Sequence, residues 1–169
     1  MISQALQERT LLLCRALIGA QSLSGAEEAA VARMEEAFEQ LGYDRLQIDR
    51  YGSIIGTIQG NRPGPHILLD AHIDTVPVDA TSAWQHPPFA GEVAEGKLYG
   101  RGTSDMKGAL AAMTVAAAAF SCACSIGPSS RPVNAPSTVS KRVARAPVRP
   151  SSSAITPATI SAVAESSQT

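Results

Sequence analysis

Aromatic side chains are scarce: three Phe, three Tyr and one Trp in 169 residues. A stacking platform for single-stranded nucleic acid is therefore excluded. Charge excess is also missing, with 14 Lys/Arg against 15 Asp/Glu and a net of −1. That leaves neither a polyanion-binding surface nor a basic membrane arm. Cysteine is limited to Cys14, Cys122 and Cys124, too few for a disulfide framework, so a reducing, cytoplasmic setting fits best. Cys122 and Cys124 are also closer than the usual Cys-x-x-Cys metal spacing. The longest weakly polar stretch, Gly108 to Phe120, falls short of the ~20 apolar residues of a membrane span. Glu8 and Arg9 precede a short apolar run without the basic start and small-residue cleavage site of a signal peptide. The expectation is a soluble protein of one ordinary domain, with no nucleic-acid or membrane partner.

Composition changes abruptly near Ser121. Residues 1–120 hold 9 Lys/Arg and 14 Asp/Glu, whereas residues 121–169 hold 5 Lys/Arg and one acid, Glu165. The later segment also has 12 of the 18 serines, 6 of the 11 prolines, one glycine, and neither leucine nor aromatic. It reads as a Ser/Pro/Ala-rich tail, either disordered or the product of a frameshift or truncation, because such residues dominate GC-rich DNA read out of frame.

Residues 1–120 alternate between helical and strand patterns. Leu6, Leu13 and Leu17 mark a helix over Gln4 to Leu17. Ser24-Gly-Ala-Glu27 has the form of a capping box. It would open a second helix carrying Val31, Met34, Phe38 and Leu41, stopped at Gly42. Strands are expected over Arg45 to Asp49, Ser53 to Gln59 and His66 to Asp70. Leu46 and Ile48 alternate as in a strand with one wet face, while Ile67-Leu68-Leu69 suggests burial on both faces. A hairpin is expected at Glu95-Gly96 and a helix over Met106 to Phe120. The order predicts an α/β layered domain.

Two segments carry chemistry. In Leu68-Leu-Asp-Ala-His72-Ile-Asp74-Thr-Val-Pro77 an apolar strand ends in a histidine and an acid two positions apart. Residues i and i+2 of a strand share a face, and a carboxylate accepting one ring N–H leaves the other nitrogen for a metal. A salt-bridged pair capping a strand would look the same. In Leu98-Tyr-Gly-Arg-Gly102-Thr-Ser-Asp105-Met-Lys-Gly108, glycines bracket a single acid at a helix start. That acid could be an N-cap, or, paired with His72, a carboxylate spanning two metal ions.

His-x-Asp-Thr-Val-Pro followed by Gly-Arg-Gly-x-x-Asp-Met-Lys-Gly resembles the acetylornithine deacetylase, succinyl-diaminopimelate desuccinylase and aminoacylase family of co-catalytic zinc hydrolases. Ile18-Gly-Ala-Gln-Ser22-Leu-Ser24-Gly is similar to that family's "I-P-S-x-S-G" run, and Trp84-Gln-His-Pro-Pro-Phe89 to its "W-x-x-x-P-F". The resemblance spans residues 1–120 and implies the N-terminal portion of a three-layer α/β/α catalytic domain. It further implies His72 as a zinc ligand, Asp74 as the catalytic acid orienting it, and Asp105 as the carboxylate bridging two zincs, with cobalt an alternative metal. A cis peptide at Asp105–Met106 is implied as well. Hydrolysis of an amide in a small N-acyl amino acid or peptide would follow, with metal-activated water, a glutamate base and metal-stabilised oxyanion.

The family's Glu-Glu pair, a further acidic ligand, the dimerisation domain and a late histidine have no match; after Asp105 there is only Glu165 and no histidine. The reading is thus a truncated hydrolase, inactive alone. Its alternative is a non-catalytic α/β interaction domain with a flexible basic tail, or an inactive gene remnant.

Overall fold

The computed structural model describes residues 2–60, 64–79, 84–124, 144–145 and 159–166. Helix α1 spans Gln4–Gly19, with Ser3 at its N-cap accepting the Leu6 N–H at 3.4 Å. Its inward stripe is Leu13, Cys14, Leu17 and Ile18, the i, i+1, i+4, i+5 set of one helical face. Helix α2 (Glu28–Gln40) buries Ala30, Val31, Met34, Ala37 and Phe38. Helix α3 (Gly108–Cys124) buries Leu110, Ala111, Thr114 and Val115 and runs through the composition break at Ser121. Among the described residues no helix is long and apolar enough to cross a membrane.

The expected capping box does not form. Glu27, not Ser24, is the residue at the start of α2, and no side chain caps the helix. The Glu27 carboxylate instead accepts the Gly25 N–H at 2.7 Å, which closes a local turn. Ser24 lies outside the helix and its hydroxyl bonds elsewhere, as described below.

Strands β1 (Arg45–Ile48), β2 (Ile54–Gly60) and β3 (Ile67–His72) lie in a sheet with β6 (Ala144–Arg145) and β7 (Thr159–Ser166), in the order β3-β7-β2-β1-β6. β1 and β2 form an antiparallel hairpin, β7 runs parallel to β2 and antiparallel to β3. Strands β4 (Glu92–Ala94) and β5 (Lys97–Tyr99) make a separate hairpin. Its turn has both Glu95 and Gly96 at positive φ, 51° and 73°, the twist-matched conformation for a two-residue loop.

The 121–169 segment therefore contributes backbone to the sheet. β2 and β3 expose facing edges, and unpaired edge N–H and C=O groups accept any extended partner. Thr159–Ser166 contains no proline, unlike the stretch before it, and pairs with both. Composition could not show this, because ladder hydrogen bonds are made by the main chain. The rest of the segment expected to be a tail lies outside the described residues.

The second difference concerns β3. Its residues were expected to be buried on both faces, yet Ile67 is 51 % and Leu68 62 % exposed, and only Ala71 is buried. Ala71 and Ile54 face the same β7 position, so Ala71 belongs to the side of Leu46, Ile54 and Ile58, which is covered by helices. Leu68 is on the opposite side, where no described helix packs over it.

Phe38 and Tyr43, both fully buried, meet in a tilted arrangement with ring centroids 4.3 Å apart over the sheet. The Tyr43 hydroxyl donates to the Thr114 carbonyl of α3 at 2.9 Å, satisfying a phenol that burial makes harder to ionise. Gly56 of β2 is what allows the rings this close: a Cβ there would sit 2.7 Å from Tyr43 Cδ1 and 2.9 Å from Phe38 Cζ. Gly56→Ala should destabilise the fold by about 1–3 kcal/mol, the usual cost of overpacking. Urea unfolding followed by Tyr fluorescence checks this; an unchanged midpoint would contradict the packing described.

Candidate metal centre

His72 is the last residue of β3, which lies at the edge of the sheet rather than at its centre as a buried apolar strand would suggest. Asp74 follows two residues later. Its carboxylate oxygen Oδ1 is 3.1 Å from His72 Nδ1, and its backbone carbonyl is 3.2 Å from the same nitrogen. The other ring nitrogen, Nε2, meets Asp105 Oδ1 at 2.9 Å. The two acids singled out by spacing thus converge on the His72 imidazole. They border a cleft of about 330 Å³ together with Thr75, Arg101 and Ser104.

Asp105 reaches His72 because of the glycine-bracketed turn. Gly102 has φ 81°, and a Cβ there would lie 2.7 Å from Thr75 Cγ2; only glycine satisfies both demands. A single wide turn over Thr103–Lys107 then precedes α3, closed by the Lys107 N–H on the Gly102 carbonyl at 2.8 Å. Within it, Asp105 and Met106 have non-helical torsions, and their peptide is cis, as the resemblance implies. The helix accordingly begins at Gly108, two residues later than the apolar pattern suggested. Asp105 is not an N-cap; its side chain is 87 % exposed, whereas that of Asp74 is 19 % exposed.

Burial pulls the His72 pKa down, but the hydrogen bonds and charges of Asp105 and Asp74 outweigh it and leave the ring more basic than an ordinary imidazole. The two carboxylates therefore favour positive charge on the imidazole. Imidazole nitrogen and carboxylate oxygen are both ligand types that zinc accepts. His72 and Asp105 supply two such donors side by side, while Asp74 lies behind the ring. Among the described residues no group of three or more His, Cys, Asp and Glu side chains is clustered to hold an ion.

One residue of the site was not singled out by sequence reasoning. Lys107 is fully buried, and its ammonium donates to the carbonyls of Leu17 at 2.7 Å and Ala20 at 2.9 Å. These are end-of-helix carbonyls of α1, left without intrahelical partners and favourable to a positive charge. The signal was there to be read: a lysine between apolar Met106 and an alanine-rich helix has no wet face to occupy. Burial lowers its pKa to about 8, against a smaller opposing effect from Cys14.

The sign of the resulting pH dependence follows directly. Between the folded value of about 8 and the ordinary 10.5, the unfolded chain holds the proton more tightly, so stability rises with pH. That contribution is complete above 10.5 and is lost as pH falls through about 8. At 1.36 kcal/mol per unit it amounts to about 3 kcal/mol. Lys107→Met should lack this rise, so the difference between the two unfolding free energies should change by a few kcal/mol from pH 7.5 to 10.5. Parallel curves would refute it.

Residues 68–123 match the family model described as Peptidase family M20/M25/M40, a stretch that contains His72, Asp74 and Asp105. A succinyl-diaminopimelate desuccinylase of Methylorubrum extorquens is 37 % identical over 120 residues, 65 % of this chain and 30 % of that protein. One of Xanthobacter autotrophicus is 37 % identical over 114 residues. The chain thus spans about 30 % of the length of these relatives. Among solved structures, human carnosine dipeptidase 1 aligns with a TM-score of 0.46 and 18 % identity, over 96 % of this chain and 33 % of that one.

Proposed function

We propose that this chain, whose N-terminal part is related to the M20/M25/M40 peptidases, carries part of the metal centre of a hydrolase. Its bonds would be amides of small N-acyl amino acids or peptides. The observation that supports it best is the 2.9 Å approach of His72 Nε2 to Asp105 Oδ1, with Asp74 on the far ring nitrogen. His72 and Asp105 would hold the ion, zinc in preference and cobalt as a substitute. When bound, such an ion supplies Lewis acidity toward an amide carbonyl and water.

The chain's own residues orient the ligands and shape the cleft. With the ion bound, Asp74 would accept the Nδ1 proton of His72 and so leave the Nε2 lone pair to the ion. The Gly102 turn presents the Asp105 carboxylate to the same point. Ser104 and Arg101 border the space a small substrate would enter. The desuccinylase names of the relatives favour a substrate with an acyl-amino group of that type.

A base to take the proton from water is not supplied by these residues, since after Asp105 the sequence offers only Glu165 and no histidine. Positioned acid–base groups contribute roughly 10²–10⁴-fold in rate, and zinc sites generally use about four donors. The 169-residue chain should therefore bind zinc weakly and hydrolyse no amide measurably. Calorimetric titration with zinc should show binding that His72→Ala and Asp105→Ala each abolish. Assay against N-succinyl and N-acetyl amino acids with zinc or cobalt should show no turnover. Zinc binding indifferent to His72→Ala would sink the reading.

A further inference from the structure

We propose that Ser24 is a positioning residue of this centre, acting on His72 through Asp74. The Ser24 hydroxyl donates to Asp74 Oδ2 at 2.5 Å, while Asp74 Oδ1 is the oxygen that meets His72 Nδ1. The two oxygens of one carboxylate are thus committed to different partners. A carboxylate rotates about its terminal bond in a broad, nearly two-fold well, so a backbone placement alone does not fix which way its plane faces. The serine bond does. It sets the plane that keeps Oδ1 on the ring, and through the ring it sets the direction of Nε2.

The segment bearing Ser24 is held in place without its own side chain. Ser22, fully buried, donates through its hydroxyl to the Ile73 carbonyl at 2.8 Å, and its carbonyl accepts the Thr75 N–H at 2.7 Å. Leu23 bridges to Thr75 in a parallel register. The strap from Gln21 to Ser24 is therefore stitched to the chain on both sides of Asp74, and Ser24 is the one point where it touches the carboxylate. The hydroxyl has no competing duty as a helix cap, because α2 starts at Glu28. Truncating it removes one hydrogen bond at the exposed rim and leaves the strap attached.

The importance of this bond for metal binding rests on the reading of His72 as a ligand, but the orientation itself is measurable with no metal present. Two-bond proton–nitrogen spectra of the full chain, recorded where the imidazole is neutral and assigned with His72→Gln, report which ring nitrogen carries the proton. In an Asp105→Ala background, which removes the carboxylate beside Nε2, the chain with Ser24 intact should show His72 protonated on Nδ1. Adding Ser24→Ala to that background should convert this to an averaged mixture, with the two nitrogen shifts moving toward each other, and Ser24→Thr in its place, which keeps the hydroxyl, should restore the first pattern. Zinc affinity should fall about 10-fold or more in Ser24→Ala, the usual effect of losing an outer partner of a ligand, with the urea midpoint unchanged. Identical His72 spectra with Ser24 and with Ser24→Ala in that background overturn the proposal. So does failure of Ser24→Thr to restore the pattern. Failure of the underlying reading is separate: zinc affinity would then be the same in the parent and His72→Gln, whatever the ring spectra show.

Discussion

The contact on which the site depends is the buried Lys107 ammonium at the end of α1. It satisfies the carbonyls of Leu17 and Ala20, which a helix terminus leaves without partners. Because Lys107 is two residues beyond Asp105, the same contact anchors the turn that presents Asp105. Because Ala20 leads into the Gln21–Ser24 strap, it also anchors the piece that reaches Asp74. The two arms of the His72 bracket are thus tied to one point on α1. The cost of burying a charge is visible in the depressed pKa of the lysine. It is offset by hydrogen bonds to carbonyls that would otherwise be buried and unpaired.

Glycine sets the tolerance of this arrangement. A Cβ at Gly100 would stand 2.5 Å from Ile18 Cγ2, and one at Gly102 would meet Thr75 and the Lys107 stem. The backbone of the Gly100–Gly102 run is therefore pressed against α1 on one side and against the residue after Asp74 on the other. Arg101 is held there by its own N–H on the Pro88 carbonyl at 2.7 Å. Its guanidinium lies over Trp84 with 5.1 Å to the ring centroid, a cation–π contact.

Local pattern made part of this legible. The helices were marked by their apolar spacing, and the β4–β5 hairpin by Glu95-Gly96, because periodicity and turn chemistry are written within a few neighbouring residues. The juxtaposition of His72, Asp74 and Asp105 could be read because a strand end and a glycine-bracketed turn both constrain where a side chain can point. What stayed hidden depends on distant partners. Ser24 has the sequence form of a cap and spends its hydroxyl 50 residues away on Asp74. Lys107 reaches 90 residues back to Leu17. The exposure of Leu68 depends on what covers β3, and the pairing of Thr159–Ser166 depends on main-chain edges that no side-chain pattern records.

The two aspartates around His72 show how partners, rather than residue type, divide the labour. Asp74 is mostly buried, with one oxygen accepting from Ser24 and the other from the ring. Using it as a ligand would require breaking one of those bonds in a partly desolvated place, where an unmet donor is expensive. Asp105 is 87 % exposed, and its one described contact is with His72 Nε2. It borders the cleft and is open to water, so a cation entering there displaces solvent and the single contact to His72. The imidazole, set between them, has its Nδ1 side on the buried, doubly bonded acid and its Nε2 side on the exposed one. The physical asymmetry supports Asp74 as the residue that orients and Asp105 as the residue that binds, independently of any relative.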